Sequence, residues 1–253
     1  MSEALVSSSR SWAVGVVIPA RNEEGSIVAC LDSTCNALDA CSEVDASWVV
    51  VVADCCNDRT AELARERLYG RGTVIDCSAA SPGSARQRGA AEVLAHFAGR
   101  SLTQVWIANT DADSRVSMDW VSQQLRLAGR RFCGVAGVVR INSIEDPDAA
   151  VVHELLADYT THEDGTHPHV HGANLGVRGD AYLALGGWPA LPTGEDTELA
   201  RRAGSAGHLR IARTAAIPVV TSTRRAGRAP QGFSGYLRDL SPGGLAGAPA
   251  CGQ

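Results

Sequence analysis

The sequence predicts an α/β protein: a single Rossmann-like domain whose mainly parallel central sheet is flanked by helices. Three observations predict it. Runs rich in β-branched residues, Val14–Ile18 and Trp48–Ala53, read as strands buried on both faces. Helix-like stretches alternate with these runs, which implies right-handed crossovers and parallel neighbours. Acidic residues stand where strands run out, at Asp54 and at Asp111 and Asp113. That edge is where open α/β sheets bind ligands.

The 253 residues suffice for one large domain or two small ones. A net charge of −5 gives no reason to expect nucleic acid or an anionic membrane as partner. All 23 basic residues are Arg, which excludes chemistry that needs a Lys Schiff base or a P-loop Lys. The eight Cys form no Cys-x-x-Cys pair, so a structural zinc site is not expected. No apolar run nears the ~20 residues that span a bilayer. The opening Met-Ser-Glu-Ala-Leu lacks the pattern of a signal peptide, so a cytoplasmic protein with reduced thiols is expected.

Residues 1–11 read as a disordered start, 12–240 as the domain and 241–253 as a flexible Gly/Ala/Pro-rich tail. The first strand runs into Pro19-Ala20-Arg21-Asn22-Glu23-Glu24. Asn22 suits an N-cap and the two Glu a first helical turn, so this segment is either capping or a nucleotide-contacting loop. A helix follows to about Leu38. The second strand ends at Asp54, and Asp58 or Thr60 can cap the helix over 61–68. The neighbouring thiols Cys55 and Cys56 are poorly placed for a normal disulfide. Gly72–Asp76 is a third strand. Ser81–Ala91 then opens a helix in which Arg86 and Arg88, two apart, cannot both face inward. One can reach a phosphate or base; the other is solvated.

Val105–Asn109 leads into Thr110-Asp111-Ala112-Asp113. If strand alternation continues, Asp111 and Asp113 aim at one point, where a hard cation such as Mg²⁺ or Mn²⁺ would relieve their repulsion. The alternative is a plain turn. Next come a helix over 118–129, a strand over 133–140, a helix over 149–159 and a His-dense loop over 161–171. In that loop an extended His169 and His171 would share a face that could hold a metal. A short strand at 172–178 and a helical turn at 180–185 follow. Thr193 and Asp196 have capping-box spacing at the start of a helix, against which stands a role for Asp196 as general base. The remainder reads as strands at 208–212 and 217–221, a basic patch at 223–228 and a short helix over 232–240.

These motifs come in a recognisable order: Val-Val-Ile-Pro-Ala-Arg-Asn-Glu-Glu at 16–24, Val-Val-Ala-Asp-Cys-Cys-Asn-Asp-Arg-Thr at 51–60 and Gly-Ser-Ala-Arg-Gln-Arg-Gly at 83–89. Asn-Thr-Asp-Ala-Asp-Ser at 109–114, Gly-Ala-Asn-Leu-Gly-Val-Arg at 172–178, Gly-Gly-Trp at 186–188 and Gly-Glu-Asp-Thr-Glu-Leu at 194–199 complete it. Together they resemble the family 2 glycosyltransferases, over residues 14 to about 240. The resemblance implies the GT-A fold and inverting transfer of a sugar from a nucleotide-diphosphate donor, a UDP- or GDP-sugar. It places Pro19, Ala20, Arg21, Glu23 and Asp54 at the nucleotide, and Arg86 near its base or phosphates. It places Asp113 on a divalent metal, Mg²⁺ or Mn²⁺, at the diphosphate, with Asp111 reaching the ribose or the metal and Ala112 between them. Asp196, with Glu195 beside it, would deprotonate the acceptor hydroxyl. The acceptor is a small molecule or a lipid-linked one, met by the stretch 145–171.

The chain departs from the family where Ala53-Asp54 replaces two acidic residues and Cys55-Cys56 replaces Gly-Ser. Some relatives add a metal-binding His after the base; here only His208 follows it. Arg224, Arg225 and Arg228 either serve the diphosphate or form a solvated basic face. Two other functions compete: a sugar-1-phosphate nucleotidyltransferase, disfavoured by the missing Gly-rich loop and Lys, and a non-catalytic nucleotide-sugar-binding protein.

Overall fold

A computed structural model describes residues 11–130, 132–141, 162 and 164–221. The predicted helices over 149–159 and 232–240, the basic patch at 223–228 and the two predicted flexible ends (apart from Ser11) lie outside the described residues.

The chain alternates strand and helix through β1 (Trp12–Ala20), α1 (Ile27–Asp39), β2 (Val44–Asp54), α2 (Thr60–Arg67), β3 (Gly72–Cys77), α3 (Pro82–His96) and β4 (Val105–Asn109). A two-residue strand β5 (Arg115–Val116), α4 (Trp120–Ala128) and β6 (Gly134–Ile141) follow. The last elements are β7 (Leu175–Arg178), α5 (Gly179–Ala184), α6 (Glu195–Ser205) and β8 (Ile211–Thr221).

Strand alternation sorts the core into two layers, one on each face of the sheet. Trp12, Val14, Val16 and Ile18 of β1, with Val49, Val51 and Trp106, pack on one face against Leu31 of α1, Ala64 of α2 and Trp120 of α4. Ala13, Val17, Val50, Val52 and Ile107 face the other way, against Val93 of α3, Tyr182 of α5 and Leu199 of α6. Helix α3 lies close to the sheet because Gly15 and Gly89 leave room: a Cβ at either would overlap Val93 or Val17.

The eight strands run in the order β3-β2-β1-β4-β7-β6-β8-β5. The pairs β3/β2, β2/β1, β1/β4 and β6/β8 are parallel. The pairs β4/β7, β7/β6 and β8/β5 are antiparallel, so the sheet is mixed rather than mainly parallel. The cause is local. Parallel pairing needs a crossover that returns the chain to the starting edge. Between β6 and β7 the chain instead begins and ends at one edge, so β7 enters the sheet reversed. That same edge gathers the carboxyl ends of β1, β2, β4, β6 and β8.

The two last predicted strands are one, β8. Its register with β6 skips between Gly137/Thr214 and Val138/Pro218, an irregularity that contains Pro218, which has no N–H for the ladder. The segment predicted as a strand from Gly172 is a 3₁₀ turn over Gly172–Asn174 before β7.

A candidate active site at the sheet edge

The loops after β1 and β2 are clasped together by side-chain to backbone hydrogen bonds. Asn57 N donates to Asn22 Oδ1 at 2.8 Å, Glu24 N to Asp58 Oδ2 at 3.1 Å and Arg59 N to Glu24 Oε2 at 3.1 Å. Cys56 Sγ donates to the Ala20 carbonyl at 3.4 Å. Asn22 is not an N-cap: its φ of 55° is left-handed, which Asn tolerates, and α1 starts later, behind Ser26. Glu23 is buried, and its Oε2 accepts from Ser26 Oγ at 2.7 Å. Pro19 and Ala20 close β1 at the rim, with Arg21 half-buried beside them.

Asp54 is 6% exposed, and its oxygens accept from Ala80 N at 2.9 Å and Ser81 N at 3.0 Å. It thereby fixes the entry to α3. Ser81 is that helix's N-cap, and its hydroxyl donates to the Leu191 carbonyl at 2.8 Å. The loop in front of α6 is thus docked on the start of α3.

The strand β4 stops at Asn109, so alternation does not set the two aspartates. A turn does, closed by Ser114 N on the Asp111 carbonyl at 3.0 Å, with Ala112 buried inside it. Asp113 Oδ1 accepts from the Thr221 hydroxyl at 3.2 Å, at the end of β8, and Ser114 Oγ donates to the same hydroxyl oxygen at 3.1 Å. Sequence reasoning gave no signal for Thr221; only the topology brings the end of β8 here.

Of the two arginines on α3, Arg86 faces inward and Arg88 outward. The Arg86 guanidinium donates from Nη2 to Asp111 Oδ1 at 2.6 Å and from Nη1 to Glu195 Oε1. It lies over the Trp188 ring, 5.6 Å from the centroid. Burial pushes the Asp111 carboxyl up to about 6; Arg86 opposes this, and Asp113, Glu195 and Asp196 add to it. The Asp111 side chain is still 37% open, so water moderates that field.

The predicted capping box at Thr193 is not formed. Gly194, with φ 76°, is the N-cap of α6 and no side chain caps the helix. Asp196 instead accepts from Gly172 N at 2.8 Å through Oδ2 and from Thr197 N at 2.6 Å through Oδ1. Its carboxylate is half-buried, whereas the neighbouring Glu195 points inward to Arg86 and is 5% exposed.

Asp111 and Asp113 offer hard oxygens suited to Mg²⁺ or Mn²⁺. Among the described residues no group of three or more His, Cys, Asp or Glu is arranged to hold a metal. A cation on this turn would therefore complete its shell with phosphate and water oxygens, as such ions commonly do. Neither His169 nor His171 belongs to a described group of three or more such side chains. His167, His169 and His171 instead stack, with successive ring centroids 6.1 Å apart. His208 bonds the Ala206 carbonyl at the opposite end of α6 from Asp196. No disulfide joins the described cysteines to one another.

Burial lowers the pKa of His167, whose Nε2 is 3.2 Å from the Ala136 carbonyl. A lowered folded value favours the neutral ring. This share of stability is whole above the unfolded value of 6.5 and is lost as pH falls through the folded value. His167→Gln cannot titrate there. The melting-temperature advantage of the wild type over it is expected to shrink between about pH 7.5 and about pH 5.5. An advantage that stays constant across that range refutes the assignment.

The chain is similar to known proteins in sequence and in fold. The model of glycosyl transferase family 2 matches residues 15–178, which include Asp54, Arg86, Asp111 and Asp113 and stop short of Asp196. No curated protein sequence matches the chain. Among solved structures it is similar to the mannosyltransferase PcManGT from Pyrobaculum calidifontis in complex with GDP-Man and Mn²⁺. The TM-score is 0.60 at 19% identity, over 85% of this chain and 58% of that one. S. aureus TarS 1–349 in complex with UDP gives a TM-score of 0.60 at 14% identity, over 84% and 61%. Glucosyl-3-phosphoglycerate synthase from Mycobacterium tuberculosis, in complex with Mn²⁺, UDP and glucosyl-3-phosphoglycerate, gives 0.50 at 19% identity, over 83% and 70%. The chain thus matches only about three-fifths of the length of the first two. Among the described residues no helix is long and apolar enough to cross a membrane. With the family model spanning β1 to β7 and the same α/β layering in these neighbours, the chain belongs to glycosyl transferase family 2 and has its GT-A fold.

Proposed function

We propose that the chain moves a sugar from a UDP- or GDP-sugar to an acceptor hydroxyl, with inversion at the anomeric carbon. The observation that carries this reading is that Arg86 bonds both Asp111 and Glu195, the neighbour of Asp196, so that the Asp111–Asp113 turn and the Asp196 carboxylate share one sheet edge, the latter steadied by two backbone N–H groups. The acceptor oxygen attacks the anomeric carbon as its proton passes to Asp196. The bond from that carbon to the diphosphate oxygen breaks and the nucleoside diphosphate leaves. One displacement from the opposite face inverts the configuration. Asp113, with Asp111, would hold a divalent cation, Mg²⁺ or Mn²⁺, that neutralises charge on the departing diphosphate. The clasped loops at Pro19–Glu24 and around Asp54 would form the nucleotide side. The acceptor is a small molecule or a lipid-linked one. Its proposed contact stretch, 145–171, is described only in part.

Calorimetric titration with UDP-, GDP- and dTDP-sugars, with and without Mn²⁺, tests the reading. Metal-dependent binding of one donor is expected, and Asp113→Ala should abolish the metal-dependent part. If the folded wild type binds none of them, or Asp113→Ala binds as well as the wild type, the assignment of donor and metal falls.

A further inference from the structure

We propose that Arg86 is a positioning residue that ties the Asp111–Asp113 turn to the start of α6, rather than a ligand of the donor's base or phosphates. The proposal rests on the glycosyltransferase reading above. Both terminal nitrogens of the guanidinium are already engaged, one by Asp111 and one by Glu195. The group is closed in as well. Arg86 is 4% exposed, and its Nε has no hydrogen-bond partner among the described residues. On one side lies Trp188. On another lies Gly172, where a Cβ would stand 2.5 Å from Cζ and 2.6 Å from Nη2. With 4% of its surface exposed, Arg86 offers little open area to a diphosphate.

Its two partners belong to the two halves of the reaction. Asp111 begins the turn that carries Asp113, and Glu195 is the residue before Asp196. A planar guanidinium fixes the directions of its N–H donors, so one side chain sets the spacing between the two carboxylates. The backbone of Gly172, pressed against Arg86, also donates to Asp196. Helix α3, which supplies Arg86, is anchored by Asp54 at its entry and by Ser81 on Leu191. The donor-side turn and the base are therefore held in register through one buried cation.

The test is a set of variants, Arg86→Lys, Arg86→Gln, Glu195→Gln and the double Arg86→Gln/Glu195→Gln, each checked for folding by circular dichroism. Binding of UDP and GDP with Mn²⁺ is measured separately from kcat and donor KM. We expect each single variant to lower kcat on the order of tenfold or more, because misplacing reacting groups by an ångström suffices. Donor KM and nucleotide affinity should stay within about threefold. The double variant should lose no more than the worse single one, since the bridge is broken once. Lys binds phosphate well but has no fork. Arg86→Lys should therefore resemble Arg86→Gln. Near-normal turnover in Arg86→Lys, or a more than tenfold loss of nucleotide affinity in Arg86→Gln alone, overturns the proposal. Should Arg86→Gln fail to fold, Arg86→Lys and Glu195→Gln carry the same readouts. A wild type that binds no nucleotide defeats the transferase reading instead. The bridge is then judged by denaturant unfolding of the four variants, where additive losses overturn it.

Discussion

Asp196→Asn is expected to lower the kcat of sugar transfer by about 10²–10⁴-fold while leaving nucleotide-sugar binding within about twofold of the wild type. The amide cannot accept the proton that the acceptor hydroxyl must lose. The shape is conserved, but one of the two backbone donors, Gly172 N or Thr197 N, will then face an amide NH₂ instead of an oxygen. That is a local disturbance at the start of α6, so the variant must be shown to melt near the wild-type temperature. The readout is release of nucleoside diphosphate with acceptor present, set against donor affinity by calorimetry. Turnover within about threefold of the wild type would remove Asp196 from the chemistry. A non-catalytic nucleotide-sugar-binding protein predicts something different: no turnover in the wild type, and a silent substitution in the binding assay.

The largest expected effect on stability is that of Asn174→Ala. Asn174 is 1% exposed and makes three hydrogen bonds. Its Oδ1 accepts from Trp120 Nε1 at 3.0 Å, and its Nδ2 donates to the carbonyls of Val138 at 2.9 Å and Ile217 at 2.7 Å. Those two carbonyls lie beside the place where β6 and β8 lose register. Truncation leaves the buried indole N–H without its acceptor and takes a donor from each of two carbonyls. Each such loss costs about 1–3 kcal/mol, and with partial relaxation the sum is about 3–5 kcal/mol. For a domain of this size that lowers Tm by roughly 10 °C. A fall of less than about 2 °C would show that the irregular pairing does not depend on this amide.

The sequence reports its periodic parts well. The apolar runs of β1, β2 and β4 name the centre of the sheet, because burial on both faces leaves no place for polar residues. The two-residue spacing of Arg86 and Arg88 lets at most one of them face inward. What the sequence does not report is who meets whom across long separations. Arg86 gives no sign that its partners are Asp111 and Glu195, and neither does Asp113 that Thr221 will approach it. Local capping rules mislead at Asn22 and at Thr193 for one reason: in both places the chain turns through a left-handed residue, Asn22 itself or Gly194, and the helix starts beyond it. Alternation misleads at Asp111–Asp113 because the strand has already ended. The reversed β7 escapes prediction because alternating strands and helices suggest parallel neighbours throughout, and nothing in Leu175–Arg178 itself marks its direction.

The clasp between the loops after β1 and β2 bears on how the molecule meets a ligand. The amides of Glu24, Asn57, Arg59, Ala80 and Ser81 all lie outside the sheet ladders, where solvent exchange is ordinarily fast, yet each is already engaged by a side-chain oxygen. Hydrogen exchange at these amides is expected to be slower than in an open loop. A nucleotide arriving there finds a surface that need not be ordered on contact, so little conformational entropy is lost at that step. Association at this edge should then proceed as a single encounter, its rate set by diffusion and orientation rather than by a slow rearrangement of the loops.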